Sequence, residues 1–237
     1  MKLAIMQPYF FPYLGYFDLI NRVDSFVVFD NIKYSNKSWM NRNRILHPDK
    51  KNWLYISIPV KKNSLSNKIC DLYPSNIIKV EEKIMGQIDH YRLNKAPFFI
   101  EVKNILNNFF SSIDGLNLAE INTRSIELVC NYLNIEFNYS YLSKTDFQSI
   151  KIDHPGEWAL NISEYFQASE YINLPNGEKL FNLAEWKEKN ITISFTDLIN
   201  FKYECADYTF HDHLSIIDVL MWSEPDKVTN YLDHLNF

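Results

Sequence analysis

Residues 2–31 read KLAIMQPYFFPYLGYFDLINRVDSFVVFDN, and this stretch decides the predicted fold. It begins with a short apolar run that ends at a Gln-Pro pair, which is typical of a buried strand. Apolar residues then recur at helical spacing over 15–23, and the β-branched and aromatic run at 24–31 predicts a second strand. A strand, a helix and a strand in this order predict a βαβ unit, in which the two strands are parallel and the crossover is right-handed.

Beyond this unit, strand and helix patterns continue to the end of the chain. Further strands are predicted at 53–59, 68–73, 136–142, 169–173 and 191–195. Further helices are predicted from a cap at Ser75 to about 91, from about 97 to 109, at 116–133, 157–166 and 180–190, and as two helices separated near Pro225. We therefore expect an α/β fold with a mainly parallel sheet, started by the βαβ unit, and a helical middle segment. A single α/β domain is expected over 1–237, with the helical insert at about 75–134.

The composition of the chain excludes some classes of protein. Its formal net charge is -5, whereas a general nucleic-acid binder carries a basic surplus. Cys70, Cys130 and Cys205 lie far apart without a CxxC pair, which indicates reduced thiols. No apolar run approaches the ~18 residues of a membrane span, and the first residues lack the pattern of a signal peptide. We expect a cytoplasmic protein without a membrane span and without general nucleic-acid binding.

The opening loop, QPYFFPYLGYF at residues 7–17, is the first candidate site. It follows the first strand of a parallel sheet, and open α/β sheets bind ligands at this edge. Pro8 and Pro12 each fix one backbone angle, so the loop loses little entropy when it holds a ligand. Gly15 permits a close approach, and the helix start offers free N–H groups to an anion. The alternative is a loop packed shut by its own aromatic side chains.

The basic segment, DNIKYSNKSWMNRNRI at residues 30–45, is the second candidate site. It follows the second predicted strand, so it should lie beside the opening loop. Arginine binds phosphate oxygens through two N–H groups, and Trp and Tyr stack on bases or sugar rings. The segment holds both kinds of side chain together with amides: Lys33, Tyr34, Lys37, Trp39, Asn41, Arg42, Asn43 and Arg44. The alternative is an edge strand with solvated arginines.

Candidates for acid–base chemistry are few. Asp30 ends the second predicted strand, where α/β enzymes often place a working carboxylate, so it is a candidate general base. It could equally cap or brace the basic segment. His211 and His213 could bind a metal or exchange protons, but without an evident third ligand we expect incidental histidines and no metal site.

Together these segments resemble the WbqC-like family over nearly the whole chain. The matching blocks are IMQPYFFPYLGYF, DSFVVFDNIKYSNKSWMNRNRI, WLYISIPV, YINLPNGEKLF, FKYE and LSIIDVLM. The resemblance implies a role in the biosynthesis of O-antigen, the lipopolysaccharide component, or of another surface polysaccharide. It also implies nucleotide-linked sugars as substrates, often dTDP-linked 4-amino-4,6-dideoxy sugars whose amine is acylated. Addition of an amino acid such as glycine to that amine is an extrapolation from these expectations.

The family's site residues carry over onto matching positions of this chain. Gln7 and Asp30 would contact the sugar or its amine as catalytic candidates, and Arg42 and Arg44 would hold phosphates. The remaining predicted substrate-binding residues are Tyr9, Tyr16, Lys33, Tyr34, Trp39, Asn41, Asn43, Tyr203, Ser215 and Asp218. Departures from the family pattern occur at Tyr13, Lys33, Gly177 and Glu204, and His211 and His213 do not belong to that pattern.

Three functions remain open at the level of sequence. The first is an N-acyl or aminoacyl transferase that acts on a nucleotide-linked amino sugar, with a donor that the sequence does not identify. The second is a non-catalytic partner of other polysaccharide-biosynthesis enzymes, which would bind them through an exposed aromatic surface. The third is a glycosyltransferase, although no DxD motif is present.

Overall fold

The computed structural model describes residues 1–36, 38–61, 67–147, 152 and 154–235, so Lys37 of the basic segment lies outside the described residues. Within these described residues, seven strands form two sheets. The strands are β1 (Lys2–Met6), β2 (Ser25–Val28), β3 (Arg42–Leu46), β4 (Trp53–Ser57), β5 (Tyr139–Tyr141), β6 (Glu170–Asn173) and β7 (Thr192–Phe195). The helices are α1 (Leu14–Asn21), α2 (Ile77–Leu93), α3 (Phe99–Ser112), α4 (Leu118–Tyr132), α5 (Glu157–Tyr165), α6 (Leu183–Glu188), α7 (Ile216–Trp222) and α8 (Pro225–His234).

The larger sheet has five parallel strands in the order β5-β2-β1-β6-β7. The central strand β1 pairs with β2 on one side and with β6 on the other, so Leu3 lies between Ser25 and Tyr171. The chain runs outward from β1 to β2 and β5, and then returns across the sheet to β6 and β7. Its direction of progress therefore reverses between β1 and β6, which is the switch point of a doubly wound sheet.

Helices cover both faces of this sheet because strand side chains alternate between two apolar cores. Ala4 and Phe26 point into the larger core, which they share with α1, α2, α3, α4, α7 and α8. Leu3 and Val27 point to the opposite face, where Ile162 and Trp186 of α5 and α6 pack. The prediction of an α/β fold, started by a βαβ unit and with a helical middle segment, is confirmed.

The prediction of a strand at 68–73 is wrong. Ile69–Asp71 form a 3₁₀ turn, flanked by an isolated bridge between Lys33 and Lys68. The backbone N–H of Ile69 donates to the Ile32 oxygen at 3.0 Å, and Ile69 itself is buried. The apolar residues that suggested a strand therefore pack under the basic segment without extending the sheet.

The basic segment, which was predicted as a candidate ligand site, contains a β-strand. Arg42–Leu46 pairs antiparallel with Trp53–Ser57, and this hairpin is a separate two-stranded sheet. The alternative prediction, an edge strand, is therefore confirmed for the backbone of this segment. That alternative also expected solvated arginines, but both arginines of the strand are half-buried. Arg42 lies over the Tyr55 ring, with its Cζ atom 3.9 Å from the ring centroid.

The described residues contain no helix with the length and apolar character needed to cross a membrane. Cys70, Cys130 and Cys205 are free cysteines, and the last two are buried.

A buried histidine predicts how stability depends on pH. Nδ1 of His90 in α2 and the Tyr208 hydroxyl are joined by a hydrogen bond of 2.7 Å, and that hydroxyl accepts another from Asn94. Burial lowers the pKa of His90 from 6.5 to about 4. The unfolded chain therefore binds a proton over this window while the folded protein does not. As pH falls through the window, the free energy of unfolding should decrease by roughly 1–3 kcal/mol.

Urea denaturation at several pH values measures this decrease. In His90→Gln the amide oxygen can still accept from Tyr208, but the titrating group is gone, so the loss of stability towards pH 4 should be smaller. His234→Gln is the matched control, because His234 is an exposed histidine in the last turn of α8, away from the His90 network. A wild-type slope retained in His90→Gln would contradict the prediction.

Candidate functional site

A cleft opens at the carboxyl edge of the parallel sheet. Its volume is about 420 Å³, within the range of small-molecule sites. Residues at the ends of β1, β6 and β7 line it, so it lies at the switch point where open α/β sheets bind ligands. The lining residues come from the sheet edge, the opening loop, the basic segment and the turn before α7: Met6, Tyr9, Pro12, Tyr13, Gly15, Trp39, Asn43, Arg44, Leu174, Pro175, Asp197, Leu198, Ile199 and His213.

The opening loop divides its aromatic side chains between the core and the cleft. Phe10 and Phe11 are buried and pack against Phe109, with ring centroids 6.0 and 4.9 Å apart. Tyr9 and Tyr13 line the cleft instead. The buried pair anchors the loop, and the two tyrosines remain available to a ligand.

Hydrogen bonds fix the opening loop against the basic segment. The Asn43 side-chain amide donates to the backbone oxygens of Phe10 and Phe11 at 3.1 and 2.8 Å. The Phe10 N–H donates to the backbone oxygen of Trp39 at 2.9 Å. Phe11 has a left-handed backbone with φ of 39°, which is rare for a residue with a side chain. Asn43 therefore shapes the cleft wall by holding this turn, although it also lines the cleft.

Arg44 supplies the cleft with a positive charge in a fixed orientation. Its Cζ atom lies 5.3 Å from the Trp39 ring centroid and 5.2 Å from that of Trp53. Its Nη2 atom donates to the backbone oxygen of His213 at 3.0 Å. Two aromatic rings and one hydrogen bond thus orient the guanidinium, which reduces the entropy that it loses when it binds an anion.

Tyr9 and Tyr13 keep their hydroxyl protons at neutral pH. Burial raises the pKa of Tyr9, and it raises the pKa of Tyr13 to about 12 with smaller contributions from Tyr9 and Asp18. Neutral phenols donate hydrogen bonds and present flat rings. They can bind the oxygens and rings of a ligand, but they cannot supply a negative charge to a cationic group.

Asp30, the predicted general base, lies outside the set of residues that line the cleft. Its side chain is buried, and both of its oxygens accept hydrogen bonds from Ser143: one from the backbone N–H at 2.9 Å, the other from the hydroxyl at 2.5 Å. This geometry favours the bracing role, because Asp30 ties the end of β2 to the chain after β5. Gln7 is half-buried and is also outside the lining set.

Tyr16 and Ser215 are buried and bonded to the opening loop. The Tyr16 hydroxyl donates to the Gln7 backbone oxygen at 2.9 Å. The Ser215 hydroxyl donates to the Phe11 backbone oxygen at 2.8 Å and accepts from the N–H of Ile217, so it caps α7. Both residues were predicted to bind substrate; in the structure their hydroxyls bond to the backbone of the opening loop, and neither residue lines the cleft.

Asp218 and Tyr203 form a buried network beneath the hairpin. Asp218 is fully buried and accepts hydrogen bonds from the Leu46 N–H at 2.9 Å, the Tyr203 hydroxyl at 2.7 Å and the Tyr91 hydroxyl. Burial raises the pKa of Asp218, and these hydrogen bonds oppose that increase. Neither Asp218 nor Tyr203 lines the cleft, so this network supports the hairpin instead of touching a ligand there.

The other described residues of the basic segment that were predicted to bind substrate do not line the cleft. Lys33 is exposed and Tyr34 is half-buried. Asn41 donates to a backbone oxygen at 3.3 Å, and Arg42 stacks on Tyr55. Of the predicted catalytic and substrate-binding residues, Tyr9, Trp39, Asn43 and Arg44 line the cleft, and so do Pro12 and Gly15 of the predicted opening-loop site.

Residues that follow β6 and β7 form one side of the cleft, and this side was not predicted from the sequence. Leu174 and Pro175 follow β6, and residues 197–199 follow β7. Both strands were predicted, and the ends of parallel strands meet at one edge. That rule, applied to the last two strands, would have placed these residues in the site.

His213 was expected to be incidental, yet it lines the cleft. Its backbone is left-handed, with φ of 56°, and its ring packs edge-on against Tyr13 at a centroid distance of 5.5 Å. His211 bonds instead to the backbone oxygen of Lys51 at 3.0 Å. In the described parts of the chain, no group of three or more His, Cys, Asp or Glu side chains could hold a metal ion.

Comparison with known proteins gives one family and one curated relative. The sequence model described as the WbqC-like protein family matches residues 7–230. The chain is similar to "Uncharacterized protein Rv1507c" of Mycobacterium tuberculosis (strain ATCC 25618 / H37Rv), with 26% identity over 229 residues and 92% of each chain covered. No solved structure matches the chain.

Proposed function

We propose a transferase function for this chain, which belongs to the WbqC-like protein family. The substrate is a nucleotide-linked amino sugar, such as a dTDP-linked 4-amino-4,6-dideoxy sugar, and the reaction acylates or aminoacylates its amine, for example with glycine. This step would take place in the cytoplasm, during the synthesis of O-antigen or another surface polysaccharide, where other enzymes of that synthesis are candidate partners.

The observation that carries this proposal is the position and orientation of Arg44 in the cleft. A guanidinium held against Trp39 and Trp53 at the switch point of the sheet suits a diphosphate, because its donors match phosphate oxygens. The rings of Tyr9, Tyr13 and Trp39 suit a base or a sugar ring next to that diphosphate. The cleft thus offers what each part of a nucleotide-linked sugar needs.

The proposed reaction forms one amide bond. The nitrogen of the neutral amine attacks the carbonyl carbon of an activated acyl or aminoacyl group. The bond between that carbon and its activating group then breaks, the activating group leaves with the electron pair of that bond, and the proton lost by the nitrogen passes to the leaving group or to water. Tyr9 and Tyr13 can donate hydrogen bonds to the sugar, and the guanidinium holds the diphosphate. The geometry of Asp30 does not favour it as the proton acceptor, because Ser143 occupies both of its oxygens.

Binding and product analysis test this proposal. Calorimetric titration with a dTDP-linked 4-amino-4,6-dideoxy sugar should show saturable binding. Incubation with activated acyl or aminoacyl donors should then give a heavier nucleotide-linked sugar, measured by mass spectrometry. A glycosyltransferase would release free dTDP instead. The absence of both binding and product would contradict the proposed function.

A further inference from the structure

We propose that Asp197 binds the amine of the sugar and selects amino sugars over sugars with a hydroxyl at the same carbon. This inference rests on the proposed function, because it assigns one part of the ligand to one side of the cleft. Asp197 follows β7 and lines the cleft together with its neighbours Leu198 and Ile199. No role was predicted for it from sequence.

Asp197 is the only carboxylate among the described residues that line the cleft. Its side chain is 77% exposed, so it reaches a ligand without first breaking a buried network. The carboxylates of Asp30 and Asp218 are both buried and accept hydrogen bonds from neighbouring groups. Tyr9 and Tyr13 stay neutral and cannot replace it as a negative charge.

The described residues that line the cleft include one arginine and one aspartate, which suits a ligand that carries charges of both signs. Arg44 and Asp197 both line the cleft, yet in the described part of the chain they do not form an ion pair with each other. Asp197 forms a long ion pair with Arg22, 3.9 Å from its carboxylate to Nη2. Arg22 has a closer partner in Asp18, at 2.9 Å from Nε. The Asp197 carboxylate is therefore available to bind a cationic group of the ligand.

A nucleotide-linked amino sugar carries these two charges in one molecule. Its diphosphate is anionic and its sugar amine is a cation when protonated. With the diphosphate at Arg44, an ammonium group at Asp197 gains a charge-assisted hydrogen bond. A hydroxyl at the same carbon gains only a neutral hydrogen bond, so the carboxylate discriminates between the two sugars.

Titration with two ligands tests the inference. One ligand is a dTDP-linked 4-amino-4,6-dideoxy sugar, and the other is the dTDP-linked sugar with a hydroxyl in place of the amine. In Asp197→Asn, affinity for the amino sugar should fall by roughly tenfold, while affinity for the hydroxyl sugar should change by less than about twofold. Asp197→Glu keeps the charge and should retain part of the preference for the amine.

Asp207→Asn is the matched control. Asp207 is an exposed aspartate, 83% exposed and paired with Lys50 outside the lining of the cleft, so its variant should bind both ligands as the wild type does. Equal changes for both ligands in Asp197→Asn, or no change for either, would overturn the inference and leave the proposed function standing. If the wild type binds neither ligand, the proposed function fails and this inference fails with it.

Discussion

Arg44→Ala should weaken the binding of a dTDP-linked sugar by roughly ten- to a hundredfold, because hydrogen bonds to charged groups contribute about 1.5–3 kcal/mol. Trp39, Trp53 and the backbone oxygen of His213 already orient the guanidinium, so the Arg44 side chain loses little conformational entropy when it binds a ligand. Arg44 is also the only Arg or Lys among the described residues that line the cleft, so its removal weakens the attraction for the anionic part of the ligand. Calorimetric titration of the purified variant measures the change.

Two further variants make this result specific. Arg44→Lys keeps the charge but loses the planar group that stacks on the rings, so it should bind with intermediate affinity. Arg42→Ala is the matched control, because Arg42 lies on the same strand and stacks on Tyr55 but does not line the cleft. Its affinity should stay within about threefold of the wild type. Equal losses in Arg42→Ala and Arg44→Ala would mean that net charge, and not the cleft geometry, determines binding.

Asp218→Ala should lower the free energy of unfolding by about 3–5 kcal/mol, the cost of removing one partner from a buried charged network. The substitution removes the acceptor of the Tyr91 and Tyr203 hydroxyls, and it leaves the Leu46 N–H with the Tyr91 oxygen alone. These groups belong to β3, α2 and the segment before α7, so the carboxylate joins three parts of the fold. Urea denaturation followed by circular dichroism measures the loss.

Asp207→Ala is the control for this experiment. Asp207 forms an exposed ion pair with Lys50 at 3.1 Å, and the loss of such a pair should change stability by less than about 1 kcal/mol. Asp218→Asn, which keeps the shape and one acceptor oxygen, should lose less stability than Asp218→Ala. A wild-type unfolding free energy in Asp218→Ala would show that the network does not stabilise the fold.

Local patterns were sufficient to predict the fold class. The run at 2–31 specified two parallel strands and their helix, and the helical spacing between 77 and 132 specified the middle helices. The prediction failed at Ile69, where an apolar segment packs under the basic segment as a turn. Periodicity describes which side chains are buried, but it does not say whether the backbone of a short run finds a partner strand.

The location of the candidate site could be predicted from the sequence, but many of its side-chain contacts could not. Arg42 and Arg44 were equivalent in the sequence, and only the pairing of the hairpin places one in the cleft and the other on Tyr55. Asp30 and Ser215 were predicted as ligand contacts, but they have partners 113 and 204 residues away in the chain, Ser143 and Phe11. Long-range partners of this kind arise from the tertiary fold, so a one-dimensional pattern does not reveal them.

The central claim is that the cleft binds a nucleotide-linked amino sugar. The most direct test is calorimetric titration of the wild-type protein with a dTDP-linked 4-amino-4,6-dideoxy sugar, with Arg44→Ala titrated in parallel. We expect saturable binding with one ligand per chain, and a loss of roughly ten- to a hundredfold in the variant. No binding to the wild type, or equal binding to both proteins, would contradict it.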